Sequence, residues 1–168
     1  MSLAFTKGHG TGNDFILVLD EHGQIEISAE QVALMCDRHF GIGADGLIRV
    51  TPTAKSPEVS HLLEQEPGAQ WFMDYRNADG TKAEMCGNGI RVFARYLLDN
   101  GLAELTSGST LPIATRDGIK DLTATQTGFA VDLGLFKVGD DETLVRARGL
   151  SVARPALEVN VGNPHRVV

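Results

Sequence analysis

Cysteine is scarce in this chain of 168 residues: there are two, Cys36 and Cys86. Two thiols exclude a disulfide scaffold, and they lack both zinc-ligand spacing and a redox Cys-x-x-Cys pair. Basic charge is also short, with 15 Lys and Arg against 22 Asp and Glu and a formal net charge of -7. No basic stripe is available to neutralise phosphates, which argues against nucleic acid as a partner. Long apolar runs are missing. Without 18 consecutive apolar residues there is no candidate membrane span, and the segment Met1 to Lys7 has no signal-peptide stretch. A reducing cytoplasm is the expected location.

What is present suffices for a folded domain. The hydrophobic fraction is 42%, ample for a core, and the length fits one domain or one domain plus part of another. Nineteen glycines are clustered rather than scattered. They fall in Gly8-His9-Gly10-Thr11-Gly12-Asn13, in Gly41-Ile42-Gly43-Ala44-Asp45-Gly46 and around Cys86. Such clusters mark either tight turns or backbone brought close to a ligand.

Strand signals dominate the pattern. Phe15–Leu19, Leu47–Val50 and Gln70–Arg76 read as strands, as do Leu111–Arg116, Ile119–Thr125, Phe129–Leu135, Val145–Ala153 and Leu157–Val161. Asp117-Gly118 is a hairpin signal, and Asn77-Ala78-Asp79-Gly80 a turn. The stretch Pro52 to Pro67 reads as a surface loop with a helical turn near His61–Gln65. Two helices are expected. One starts at Ser28, with Gln31 completing a capping box, and places Val32, Met35, Cys36 and Phe40 on one face. Cys36 there is a buried small hydrophobe. The other runs from about Asn88 to Asp99, with Ile90, Phe93, Ala94 and Leu97 inward and Asn100-Gly101 ending it. Many strands, few helices and no βαβ rhythm point to an α+β fold, a mostly antiparallel sheet wrapped around a central helix.

Cys86 opens Cys86-Gly87-Asn88-Gly89-Ile90-Arg91, at the head of that second helix. Backbone N–H groups point outward at a helix start and the dipole favours negative charge, so a thiolate can be made and held there. The following amides offer a clamp for a carboxylate beside the sulfur, which would set an α-carbon against a base. A cysteine hydrolase remains open, because His9, His39, His61 and His165 are all available as partners. So does a plain structural cysteine at a helix start.

Four segments together resemble the diaminopimelate epimerase family, cofactor-independent amino-acid epimerases of lysine and peptidoglycan biosynthesis. They are Lys7–Phe15, Asp37–Gly46, Asn77–Gly80 with Glu84–Gly89, and Gly162-Asn163-Pro164-His165, in the family's order. The resemblance implies that Cys86 is one of two catalytic cysteines that exchange the α-proton, one on each face of the carbon. It implies that Gly87 and Asn88 hold the reacting carboxylate and that Asn13, Asn77 and Asn163 contact substrate. Asn77 and Asn163 are expected at the distal end, where an amide offers both donor and acceptor. His165 matches a histidine that tunes the cysteine acid–base balance; alternatively it only caps a turn after Pro164. No cofactor and no metal are expected, diaminopimelate is the expected small-molecule partner, and a homodimer is the expected assembly. Gly46 departs from the pattern, standing where many members place a glutamine. Arg166 departs too, at a position commonly small or apolar.

Family members consist of two similar halves with the site in the cleft between them. By that pattern residues 1–135 form an N-terminal domain carrying the first catalytic cysteine, and residues 136–168 begin an incomplete second domain. The second cysteine has no counterpart here, so the missing C-terminal half is required for a complete site and the isolated chain is expected to be inactive as an epimerase. Rival readings are a proline racemase-like isomerase, a phenazine-biosynthesis-like isomerase, a non-catalytic amino-acid-binding module and a thiol-redox protein. Cys86 argues against the phenazine type, which typically carries an acid at that position.

Overall fold

The alternation of β-rich apolar residues and turn glycines yields a sheet whose faces are both covered. The computed structural model describes residues 3–106, 108–139, 143–162 and 164–168. They divide into two compact units, Met1–Asp132 and Leu133–Val168. The first unit holds seven strands: β1 (Thr6–Gly10), β2 (Asn13–Leu19), β3 (Gly46–Pro52), β4 (Trp71–Asn77), β5 (Thr110–Thr115), β6 (Gly118–Ala124) and β7 (Phe129–Asp132). They lie in sequence order across one sheet. β2–β3 and β4–β5 are parallel, and the other neighbours are antiparallel. The sheet is thus mostly antiparallel and the fold α+β, as the pattern indicates.

Each parallel pair needs a crossover, and each is made by a helix: α1 (Ala29–Cys36) joins β2 to β3, and α2 (Gly87–Asp99) joins β4 to β5. Two βαβ units are therefore present, contrary to the sequence reading. They escaped it because α1 is only two turns long and β1 and β6 interrupt the rhythm. Chain direction reverses between β3 and β4, so crossovers of one hand place the two helices on opposite faces. The side chains agree. Leu47 packs with Val32 and Cys36 of α1, while the neighbouring Ile48 lies 3.5 Å from the point where a Cβ on Gly89 of α2 would be.

Helix α2 is the central element. Ile90, Phe93, Ala94 and Leu97 are fully buried, each large one contributing about 1.5–3 kcal/mol of apolar burial. It touches β1, β2, β3, β4 and β7, which requires the sheet to curl around it. Asn100 ends it and Gly101, at φ 65°, turns the chain away. Gly10 permits close approach, since a Cβ there would meet the Asn88 carbonyl oxygen at 2.9 Å. Helix α1 begins with the expected capping box between Ser28 and Gln31. It ends at Cys36, however, so Phe40 lies in the following loop, 87% exposed, rather than on the helix face.

The segment after Pro52 is more than a surface loop. Its 3-10 turns at Thr53–Lys55 and Ser60–Glu64 bury Val59 and Leu62 against Ala69, Phe72 and Ala114. On the outer face, buried Asp74 binds Arg49, Arg76 and Arg116, and Arg116 also stacks over Phe72 at 5.3 Å.

The second unit contains β8 (Lys137–Val138), β9 (Thr143–Val145), β10 (Arg154–Asn160) and β11 (Pro164–Val167), all pairing antiparallel with β10. Most of the strand expected over Val145–Ala153 is turn instead, with Leu150 N–H bonded to the Ala147 carbonyl. Among the described residues no helix is long and apolar enough to cross a membrane.

Candidate active site

One end of the first sheet gathers the residues singled out around Cys86. Asn13 starts β2 and Gly46 starts β3. Asn77 ends β4 and is the backbone partner of Gly46. Cys86 is the N-cap of α2, in extended conformation at φ -144° and ψ 114°. Its Sγ accepts the N–H of Gly89 at 3.3 Å, the place a serine or aspartate oxygen ordinarily takes. Cys86 is partly exposed, and its sulfur meets the polar groups of Asn13 and Gly89. Gly87 and Asn88 occupy the first two helical positions. Their backbone N–H groups have no intrahelical acceptor, as at every helix start, and no partner among the described residues. A Cβ on Gly87 would meet nothing within 4 Å, so this side of the helix start is open.

Asn13 links the helix start to the sheet. Its Oδ1 accepts the Cys86 thiol at 3.7 Å and the Asn88 amide at 3.4 Å. Its Nδ2 donates to Asp45 at 2.8 Å. Asn88 is held in turn by Thr11 at 2.9 Å and by Arg91. Behind Asp45 stands a charge cluster. Arg38 donates to both oxygens of Asp14 and to Asp45 at 2.8 Å, and Lys7 pairs with Asp14 at 2.8 Å. Hydrogen bonds from Arg38 and then Lys7 hold the Asp14 carboxyl well below the usual carboxylate range. Sequence reading quoted Lys7, Asp14, Arg38 and Asp45 as parts of motifs without giving them work. The signal available was a set of opposite charges in two glycine-rich segments.

The structure therefore brings Cys86, Gly87, Asn88 and Asn13 together. Asn77 lies on the same sheet end, but its side chain donates to Thr81 at 3.0 Å and bonds neither Cys86 nor Asn13. His165 lies in β11 of the second unit, exposed, and Asn163 falls outside the described residues. Among the described residues His9, His39 and His61 make no hydrogen bond to Sγ, so the thiol–imidazole pair of a cysteine hydrolase is not formed by any of these three. Cys36 is 4% exposed in the apolar cluster under α1, and burial pushes its thiol up. A groove of about 320 Å³ between β1 and α2 includes Lys7, His9, Arg91 and Tyr96, but neither Cys86 nor Asn13 lines it. Among the described residues no group of three or more His, Cys, Asp or Glu is placed to hold a metal.

Comparison with known proteins agrees with these motifs. The family model described as diaminopimelate epimerase matches residues 5–138. The diaminopimelate epimerase of Streptomyces coelicolor is 46% identical over 168 residues, covering 98% of this chain and 55% of that protein. That of Mycobacterium ulcerans is 42% identical, covering 97% of this chain and 57% of its own. The chain spans about half the length of the curated relatives it matches. A probable proline racemase from Agrobacterium radiobacter superposes with TM-score 0.69 at 11% identity, over 99% of this chain and 52% of that one. A hydroxyproline epimerase from Agrobacterium vitis gives 0.68 at 10% identity, over 98% and 50%. At such identities these two structures establish the fold alone.

Proposed function

Because this chain belongs to the diaminopimelate epimerase family, we propose that the Cys86 thiolate exchanges the α-proton of an amino acid, with LL- and meso-2,6-diaminopimelate as the interconverted pair. One observation carries the reading: the sulfur of a partly exposed cysteine and two open backbone N–H groups, those of Gly87 and Asn88, converge at the start of α2. In this reading the two N–H groups hold the α-carboxylate and thereby set the α-carbon against the sulfur. As the proton leaves, negative charge spreads onto that carboxylate. Fixed donors and the helix dipole stabilise it at the moment it develops, which is the largest contribution a preorganised site can make. The route needs no cofactor, because the electron sink is the substrate's own carboxylate.

The remaining assignments follow from the same proposal. Asn13 positions sulfur and substrate at the reacting end. Asn77 and Asn163 meet the distal end, and His165 tunes proton exchange. The first unit is then the domain that supplies one base. A reducing compartment, the cytoplasm, keeps the two free thiols available. In the cell the reaction belongs to lysine and peptidoglycan biosynthesis.

Inversion takes a second acid on the opposite face of the α-carbon. Cys36 is not that group, since it is sealed beneath α1. A polypeptide limited to these 168 residues is thus expected to exchange the α-hydrogen without inverting the centre. The test is proton NMR of LL-diaminopimelate in deuterium oxide. The α-proton signal should decay with the protein and persist with its Cys86→Ala variant. Decay at the same rate in both would overturn the assignment of the base.

A further inference from the structure

Tyr75 has no place in the reaction outlined above, yet it lies beside the groups that do. It projects from the inner face of β4, two residues before Asn77, and its backbone pairs with Ile48. Ile48 packs against the same point at Gly89 that lies 3.3 Å from the Cys86 Cβ. The Tyr75 ring is buried, and Phe15 of β2 meets it edge to face with 5.8 Å between centroids. These rings sit on strands separated by β3, and they meet because β3 carries Gly46 between them. A Cβ on Gly46 would fall 2.6 Å from Tyr75 Cε2, 3.2 Å from its Oη and 2.5 Å from the Arg76 carbonyl oxygen. The phenol edge therefore occupies the space that a side chain at position 46 would take. That space borders Asp45 and Asn77.

The hydroxyl itself is unengaged. It has no hydrogen-bond partner among the described residues, and it is not sealed in, because Thr51 Oγ1 is the sole buried orphan side-chain atom among them. Burial, with the charges of Cys86 and Asp45 acting in the same sense, pushes the phenol up to about 12. At neutral pH it is an uncharged O–H donor on a ring that packing holds still. Such a group, open only at its tip, is suited to a ligand acceptor.

We propose that the Tyr75 hydroxyl is a substrate-positioning group that donates to the carboxylate at the non-reacting end of the amino acid, an inference that rests on the reading of the Cys86 site. The reacting carboxylate is taken by the start of α2, whereas Tyr75 shares its strand face with Asn77. A carboxylate only accepts hydrogen bonds. Asn77 gives one of its two Nδ2 hydrogens to Thr81, and the Tyr75 hydroxyl is an open donor on the same strand face.

The experiment is calorimetric titration of the protein and its Tyr75→Phe variant with meso-diaminopimelate and with L-lysine, which lacks the second carboxylate. Loss of one hydrogen bond to a charged group should weaken diaminopimelate binding about tenfold. The preference over lysine should shrink by the same factor, with the unfolding midpoint unchanged. An unaltered preference overturns the proposal, as does a weakening accompanied by a lowered midpoint, which would mark a packing effect. If the unaltered protein binds no diaminopimelate, the reading of the Cys86 site fails, and this inference fails with it.

Discussion

Asn13 gives its amide nitrogen to Asp45 at 2.8 Å, and that bond decides which end of the amide faces Cys86. Asp45 cannot turn to suit it, because Arg38 and the Asp14 N–H hold the same carboxylate at 2.8 and 3.0 Å. The amide oxygen is therefore directed at the sulfur, where it accepts the S–H of the thiol. On its other side the sulfur accepts the Gly89 N–H. The proposed role of Cys86, taking and returning a proton, is consistent with these two contacts.

Asp45→Ala tests the arrangement. With no side-chain acceptor left at position 45 to hold Nδ2, the Asn13 amide can turn and present N–H groups to the sulfur. Iodoacetamide should then label Cys86 faster at fixed pH, while exchange of the substrate α-proton slows about a hundredfold, the low end of what a positioned acid–base group contributes. Slower labelling together with slower exchange would point to simple disruption of the site instead.

The two thiols should separate by accessibility alone. Cys86 is partly exposed and Cys36 is 4% exposed under α1. Mass spectrometry after brief alkylation should show one adduct on the native protein and two in denaturant. Cys86→Ala should show none natively. An adduct on native Cys36 would mean that α1 opens readily, and the apolar cluster beneath it would need a different description.

How far the sequence foretold this depended on whether a signal was local. The α2 stripe of Ile90, Phe93, Ala94 and Leu97, the Ser28–Gln31 capping box and the stop at Gly101 are each written within a few residues, and each appears as read. β1 was not legible. Its residues Thr6–Gly10 include two glycines, and what makes them a strand is pairing with β2 and contact with α2. Phe40 was misplaced because periodicity continued past the true helix end at Cys36. The candidate site was legible at Cys86 and its glycines, which stand at the start of α2 as read. The Asn13–Asp45–Arg38–Asp14 chain was not, since it joins the start of β2 to the loop before β3 across more than 20 positions, a pairing that only the fold creates.

Thr51 offers a stability test on the opposite side of function. It is fully buried on β3, paired across to Phe72, and its Oγ1 has no hydrogen-bond partner among the described residues. An unsatisfied buried hydroxyl costs about 1–3 kcal/mol in desolvation. Thr51→Val keeps the branched shape and removes the polar atom, so unfolding free energy should rise by roughly 1 kcal/mol in urea titrations. A loss of that size would instead reveal a partner for the hydroxyl.

Asp74 sets the acid limit of the fold. Its side chain is inaccessible to solvent and binds Arg49 at 2.9 Å, Arg76 at 3.3 Å and Arg116. Burial works against ionisation, but hydrogen bonds from Arg116 and Arg76 outweigh it and the carboxyl is lowered. A lowered folded-state value means that the stabilisation is complete above the unfolded carboxylate value of about 3.9. It is lost as pH falls through the folded value. Asp74→Asn leaves three guanidinium groups facing a neutral amide. The expected cost at pH 7 is roughly 3 kcal/mol, the usual penalty for breaking a buried ion pair. Near pH 3 the unaltered protein has begun to lose the same stabilisation, so the gap between the two should narrow. Urea unfolding at both pH values measures it. An undiminished gap at the lower pH would show that Asp74 acts through shape and hydrogen bonding, with its charge immaterial.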